Sequence, residues 1–207
     1  MDFLTTKLAD LFSCFPGIGQ RQAKRFVYFL LSQNPAFIKE LSDAILDLKK
    51  NTRACDFCLR YYFEKLAVSN NFCPICRDKN REKVLMIVSK DLDIESIEKS
   101  GVFKGRYFVL GGTVPILEQE PEKKIRLAAL LERVEKLSKA SKLEEIILAM
   151  DFNPEGENTA DFVRKNLEPL AKKFNFNILS LGKGLSLGTE LEYSDPETIK
   201  SALKNRV

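Results

Sequence analysis

Histidine and tryptophan are both missing from the 207 residues, and methionine occurs only three times. The lack of imidazole excludes histidine triads, histidine general bases and histidine metal ligands. Chemistry, if any, falls to carboxylates, lysines, hydroxyls and thiols. No apolar run approaches the roughly 20 residues needed to span a bilayer. The opening segment MDFLTTKLADLF has none of the basic-then-apolar order of a signal peptide. A soluble, cytoplasmic protein with no membrane contact is therefore expected. A phosphate-cradling G-x4-G-K-S/T loop is also absent, which argues against nucleotide hydrolysis.

What is present is unevenly placed. The formal net charge is +4, with 14 Lys+Arg against 9 Asp+Glu in residues 1–83 and 19 against 20 in residues 84–207. The basic excess lies in the first part of the chain, and it is too small to identify a nucleic-acid partner by itself. Four of the five cysteines form two C-x2-C pairs, Cys55/Cys58 in CDFC and Cys73/Cys76 in CPIC, with 14 residues between them. A two-residue spacer lets two thiolates from one tight turn reach a single ion, and zinc takes four such ligands in a tetrahedron. Paired knuckles outside an oxidising compartment favour metal over disulfides. With four thiolates and no open position, the site is expected to be structural, with one zinc per chain. Cys14 stands apart and is expected to be a small buried hydrophobe.

CFPGIGQRQAKRF, Cys14 to Phe26, is the second feature. Gly17 and Gly19 can take positive φ and bring backbone close to a ligand. Arg21, Lys24 and Arg25 follow at i, i+3 and i+4, so they share one side of a helix. Exposed N–H groups at a helix start beside clustered cations suit a phosphate. The plainer alternative is an amphipathic helix with a solvated basic side. Contacts to backbone phosphate read no bases, so binding would be sequence-independent and steeply salt-dependent.

Residues 1–53 read as helical. Leu4, Leu8, Leu11 and Phe12 fall on one helix face, and Ile18, Ala23, Phe26, Val27 and Leu30 on another. Asn34-Pro35 then gives an N-cap and first helical position. Residues 54–80, the cysteine module, are too few for a core of their own, so the metal should contribute folding energy. From residue 84 the short apolar runs VLMIV, RYFVL, EIILAM and FNILSL read as strands buried on both faces. Helical patterns at about Leu92–Lys99, Glu122–Lys139 and Asn158–Phe174 separate them, and a last helix opens at Asp195-Pro196. Such alternation predicts a parallel sheet with right-handed crossovers. Ligands gather at the carboxyl ends of such strands, where DFNPEGEN places Asp151, Asn153, Glu155 and Glu157. A weak divalent-metal loop is one possibility. The other is a solvated loop capping the next helix.

Taken in order, four blocks covering almost the whole chain resemble the bacterial RecR family of recombination mediators. FPGIGQRQAKRF is similar to that family's helix-hairpin-helix, and Cys55, Cys58, Cys73 and Cys76 to its zinc finger. GVFKGRYFVLGG with LAMDFNPEGENTADF resembles its Toprim domain. GLSLGTELEYSDPETIKSALKNR resembles its C-terminal Walker B-like segment and closing helix. The resemblance implies an α+β multi-module chain: helix-hairpin-helix 1–53, zinc finger 54–80, α/β parallel-sheet Toprim domain 81–180, C-terminal segment and helix 181–207. It implies a non-enzymatic DNA repair protein that binds single-stranded and duplex DNA. Such a protein would work with RecO, and in many bacteria RecF, to load RecA at gaps and breaks. A homo-oligomer, a tetrameric ring or a dimer, is implied too.

By the same resemblance, Arg21 and Arg25 occupy the family's DNA-contacting positions, with Gly17, Gly19 and Lys24 beside them. Catalytic Toprim domains end the first strand with Glu and later carry Asp-x-Asp. Here Ser89 stands at the first position, and the pair is Asp151 with Asn153. A DNA-cleaving or primase-like enzyme, the alternative, would lack its general acid/base and half of its metal pair. Asp151, Glu155 and Glu157 would then serve as a partner-docking surface. Gly182, Gly184 and Gly188 are read as turn or oligomer-contact residues.

Overall fold

The computed structural model describes residues 3–63, 71–81, 83–140, 143–182, 184, 188 and 190–204. The chain divides into two units, residues 1–52 and residues 53–207.

The first unit holds α1 (Phe3–Ser13), α2 (Gln20–Leu31) and α3 (Pro35–Asn51). Ala9 of α1 meets Ala23 and Val27 of α2 in a small buried cluster, with Leu8, Phe12 and Ile18 partly buried around it. Small residues at the crossing let the two backbones approach, and the Phe12 and Phe26 rings close its side edge to face, 5.7 Å apart. Leu4 and Leu11, expected on the packed face, are exposed instead. Ala9 lies at the centre of the seam and turns them away. Cys14 is exposed as well, against expectation. It sits just past the end of α1, and its Sγ donates to the Asp10 carbonyl at 3.4 Å. As anticipated, Asn34 caps α3, its Oδ1 accepting from the Phe37 N–H at 2.8 Å ahead of Pro35 at the first position.

At the boundary, β1 (Thr52–Ala54) pairs with β2 (Tyr61–Phe63) in a two-stranded sheet, followed in the second unit by the single turn α4 (Pro74–Arg77). Four parallel strands follow: β3 (Val84–Val88), β4 (Arg106–Val109), β5 (Glu145–Ala149) and β6 (Asn177–Ser180), in spatial order β4-β3-β5-β6. Helices α5 (Asp91–Ser100), α6 (Leu127–Ala140) and α7 (Pro154–Phe174) connect them, and α8 (Pro196–Lys204) comes last. The central register sets Ile87 beside Phe108 on one side and Leu148 on the other. Leu85, Ile87, Phe108, Leu130, Ile146, Leu148 and Leu167 are essentially inaccessible.

Three details differ from the pattern expected. Strand β6 is not buried on both faces, and Leu179 is half exposed: β6 ends the sheet, whereas β4, at the other edge, is buried and bonded to the cysteine module through the Val109 N–H and the Cys58 carbonyl. Helix α6 begins at Leu127, and the preceding Pro121–Lys123 forms a 3-10 turn. Helix α7 begins at Pro154 rather than near Asn158, so Glu155 and Glu157 lie on its first turn.

Candidate metal centre, basic helix and acidic loop

The Sγ atoms of Cys55, Cys58, Cys73 and Cys76 all lie within 4.8 Å of one another, and all four residues are buried. Local turns hold them there. Leu59 takes φ +60°, a left-handed conformation, while its N–H donates to the Cys55 carbonyl at 2.9 Å. The Cys73 N–H donates to Cys55 Sγ at 3.3 Å, the kind of bond that stabilises sulfur carrying negative charge. Hydrogen bonding from the Cys58 thiol, then from Cys73 and Cys76, draws Cys55 far below the usual thiol range. Hydrogen bonding to Cys55 pushes Cys58 and Cys76 up. Four thiols crowded this closely cannot all ionise unless a cation compensates them, and the set fits a tetrahedral metal.

The module is fastened to the large sheet by backbone and arginine. The Val109 N–H, at the end of β4, donates to the Cys58 carbonyl at 2.8 Å. Arg126 donates from one guanidinium nitrogen to the Leu59 carbonyl at 2.9 Å and to the Val109 carbonyl at 3.3 Å. Arg133 of α6 stacks over the Phe57 ring at 4.6 Å and also donates to the Asp56 carbonyl. Asp91, at the start of α5, accepts from the Tyr61 N–H at 2.7 Å. None of Arg126, Arg133 or Asp91 stood out in the sequence.

In the first unit, Gly17 takes φ +77° within a turn closed by the Ile18 N–H on the Phe15 carbonyl at 3.1 Å. Gly19 is different: at φ −82° it is the N-cap of α2, and no side chain caps the helix start. A Cβ on either glycine would meet nothing, so the entrance to α2 is open. Arg21, Lys24 and Arg25 are exposed on that helix. Among the described residues none of the three has an ion-pair partner, and Arg25 bonds only Gln22.

At the carboxyl ends of the strands, Ser89 follows β3 buried, its Oγ donating to Met150 Sδ at 3.1 Å. Asn153 caps α7, its Oδ1 accepting from the Gly156 N–H at 2.7 Å. Glu155 accepts from the Thr113 hydroxyl. Thr159 accepts from the Val114 N–H at 2.8 Å, so the loop after β4 is pinned to the start of α7. Asp151 is exposed and lines a cavity of about 240 Å³ together with Glu157 and Asp161. Asp151, Glu155 and Glu157 do not converge as the cysteines do: among the described residues the four cysteines alone form a metal-ligand group. The Walker B-like segment falls partly outside the described residues, which include Gly188 at φ +84°.

A helical hairpin entered through a glycine turn, a four-cysteine module and a four-stranded parallel sheet thus follow one another along the chain. Three family models match: RecR helix-hairpin-helix over residues 5–49, Toprim domain over 83–178, and RecR C-terminal over 184–207. Recombination protein RecR of Mycoplasmopsis pulmonis is 34% identical over 193 residues, 92% of this chain and 91% of that protein. The proteins of the same name from Chloroflexus aggregans and Prochlorococcus marinus AS9601 are each 34% identical over 97% of this chain, covering 91% and 94% of theirs. The chain belongs to the RecR family of recombination proteins. That membership supports a role in recombination repair and in DNA binding.

Proposed function

We propose that this chain is a non-enzymatic recombination mediator that holds DNA by its backbone. The observation that carries the proposal is the unpaired cationic face of Arg21, Lys24 and Arg25 beside the open, uncapped entrance to α2. Backbone N–H groups at that entrance and two guanidinium groups one helical turn apart can straddle adjacent phosphates of one strand. Gly17 supplies the turn and Gly19 the open N-cap. Contacts of this type accept single-stranded and duplex DNA alike and ignore sequence.

The remaining parts take supporting roles. Cys55, Cys58, Cys73 and Cys76 hold one structural zinc ion, and the modules run over residues 1–53, 54–80, 81–180 and 181–207. Asp151, Glu155 and Glu157 form an acidic docking surface, for which RecO, with RecF in some bacteria, is the partner that family membership suggests. The product is RecA loaded at gaps and breaks by a cytoplasmic homo-oligomer, a tetrameric ring or a dimer. Strand cleavage or priming is the less favoured reading. The Ser89 hydroxyl is committed to Met150 and the Asn153 side chain to capping α7, which leaves Asp151 without an acidic partner of its pair.

The test is the Arg21→Ala/Arg25→Ala variant, assayed for DNA binding across a salt series. Affinity should fall by the same factor on any sequence, and the slope of log affinity against log salt should drop by about one for each phosphate no longer neutralised. Both side chains are exposed, so the melting temperature should barely move. Wild-type affinity and slope in the folded variant would show that the basic face is only solvated.

A further inference from the structure

A cavity of about 210 Å³ opens at the amino ends of β3 and β4, away from the acidic loop. Four cations line it, Lys79, Arg81, Lys83 and Arg106, around partly exposed Val84 and Leu137 on its floor, and among the described residues no carboxylate lines it. The four are not equivalent. Arg81 is consumed by the structure: it pairs bidentately with Glu98 at 2.7 and 2.9 Å and donates to the Gly105 carbonyl at 3.1 Å. Lys83 reaches Glu144 only at 3.8 Å, both side chains more than half exposed, a pair that contributes little. Lys79 has no ion-pair partner among the described residues, and Arg106 lies only over the Phe57 ring at 5.2 Å.

Three cations lining one hollow, of which only Lys83 has an anion and that one loosely held, repel one another, and an incoming anion relieves that cost. The apolar floor narrows the choice. A bare inorganic anion gains nothing from leucine, whereas a nucleic-acid strand carries phosphate beside an apolar sugar and base. We propose that this cavity is a second strand-contacting site, in which Lys79, Lys83 and Arg106 hold the backbone of single-stranded DNA and the floor receives its sugar or base. The proposal rests on the reading of the chain as a DNA binder, but it uses none of the residues of α2.

The experiment compares three proteins by fluorescence anisotropy on labelled oligo(dT) through a salt series: wild type, Lys79→Ala/Lys83→Ala and Arg21→Ala/Arg25→Ala. Both lysines are exposed, so an unchanged melting temperature is expected for the first variant. Its salt slope should fall by about 1.4, two phosphates at about 0.7 each for a single strand. Lys83→Gln alone should show about half of that fall. A wild-type slope in Lys79→Ala/Lys83→Ala overturns the second site whatever the other variant does. If Arg21→Ala/Arg25→Ala then still loses affinity, the function proposed above stands without it. Equal slopes in all three proteins overturn both.

Discussion

Glu98 shows how one side chain sets a pH limit. It accepts two bonds from Arg81 and one from the Tyr107 hydroxyl at 2.7 Å. The Arg81 hydrogen bonds hold its carboxyl below the usual 4.5, while burial pushes the Tyr107 phenol above its usual 10. A depressed carboxylate stabilises the fold fully above its unfolded value and loses that contribution as pH falls through the folded one. Thermal unfolding followed below pH 4.5 should therefore show a falling melting temperature, and Glu98→Gln should flatten that fall. At neutral pH, Arg81→Ala should cost about 1–2 kcal/mol, partial exposure of Glu98 keeping the figure low. Gly156 sets a steric limit instead. A Cβ there would strike the Asp151 carbonyl oxygen, which is backbone and cannot swing aside. Gly156→Ala should destabilise by about 1–3 kcal/mol in urea titration and should displace the acidic loop as well.

Elements are legible where local chemistry is self-contained. Asn34-Pro35 announces α3, and Asp195-Pro196 announces α8, whose cap is the Thr198 N–H on Asp195 Oδ1 at 2.9 Å. Asn153-Pro154 is the same signal, yet the density of acids after it suggests a loop, so the sequence pattern starts α7 one turn late. Carboxylates in the first turn of a helix are themselves favourable, which is why the two readings compete. The cysteine spacing discloses the four-thiol cluster but not its mooring. Arg126 and Arg133 lie 67 and 77 residues from the carbonyls they bind, and no periodicity reports such a pairing. Cys58→Ala should release the metal, seen as loss of about one zinc per chain by elemental analysis, and should lower the melting temperature. A metal-free protein that still unfolds cooperatively at the wild-type temperature would contradict the structural role.

For the whole molecule, four strands, their order of appearance and the two cysteine knuckles can be read from runs and spacing. The spatial order β4-β3-β5-β6 cannot, nor can the contrast between its two edges, buried β4 and exposed β6, since both depend on which strands end the sheet and on what packs against each edge. Light scattering after size exclusion, with and without DNA, should show an oligomer larger than the 23.6 kDa chain. The bond from Val109 to Cys58 would act as an internal gauge of the proposed zinc ion. Two consecutive amides at the end of β4 have different guardians: Leu110 N–H is held by Val88 of the sheet, Val109 N–H by the knuckle. In deuterium exchange followed by NMR, a chelator should speed exchange at Val109 well before Leu110, so a single peak would report whether the ion is in place.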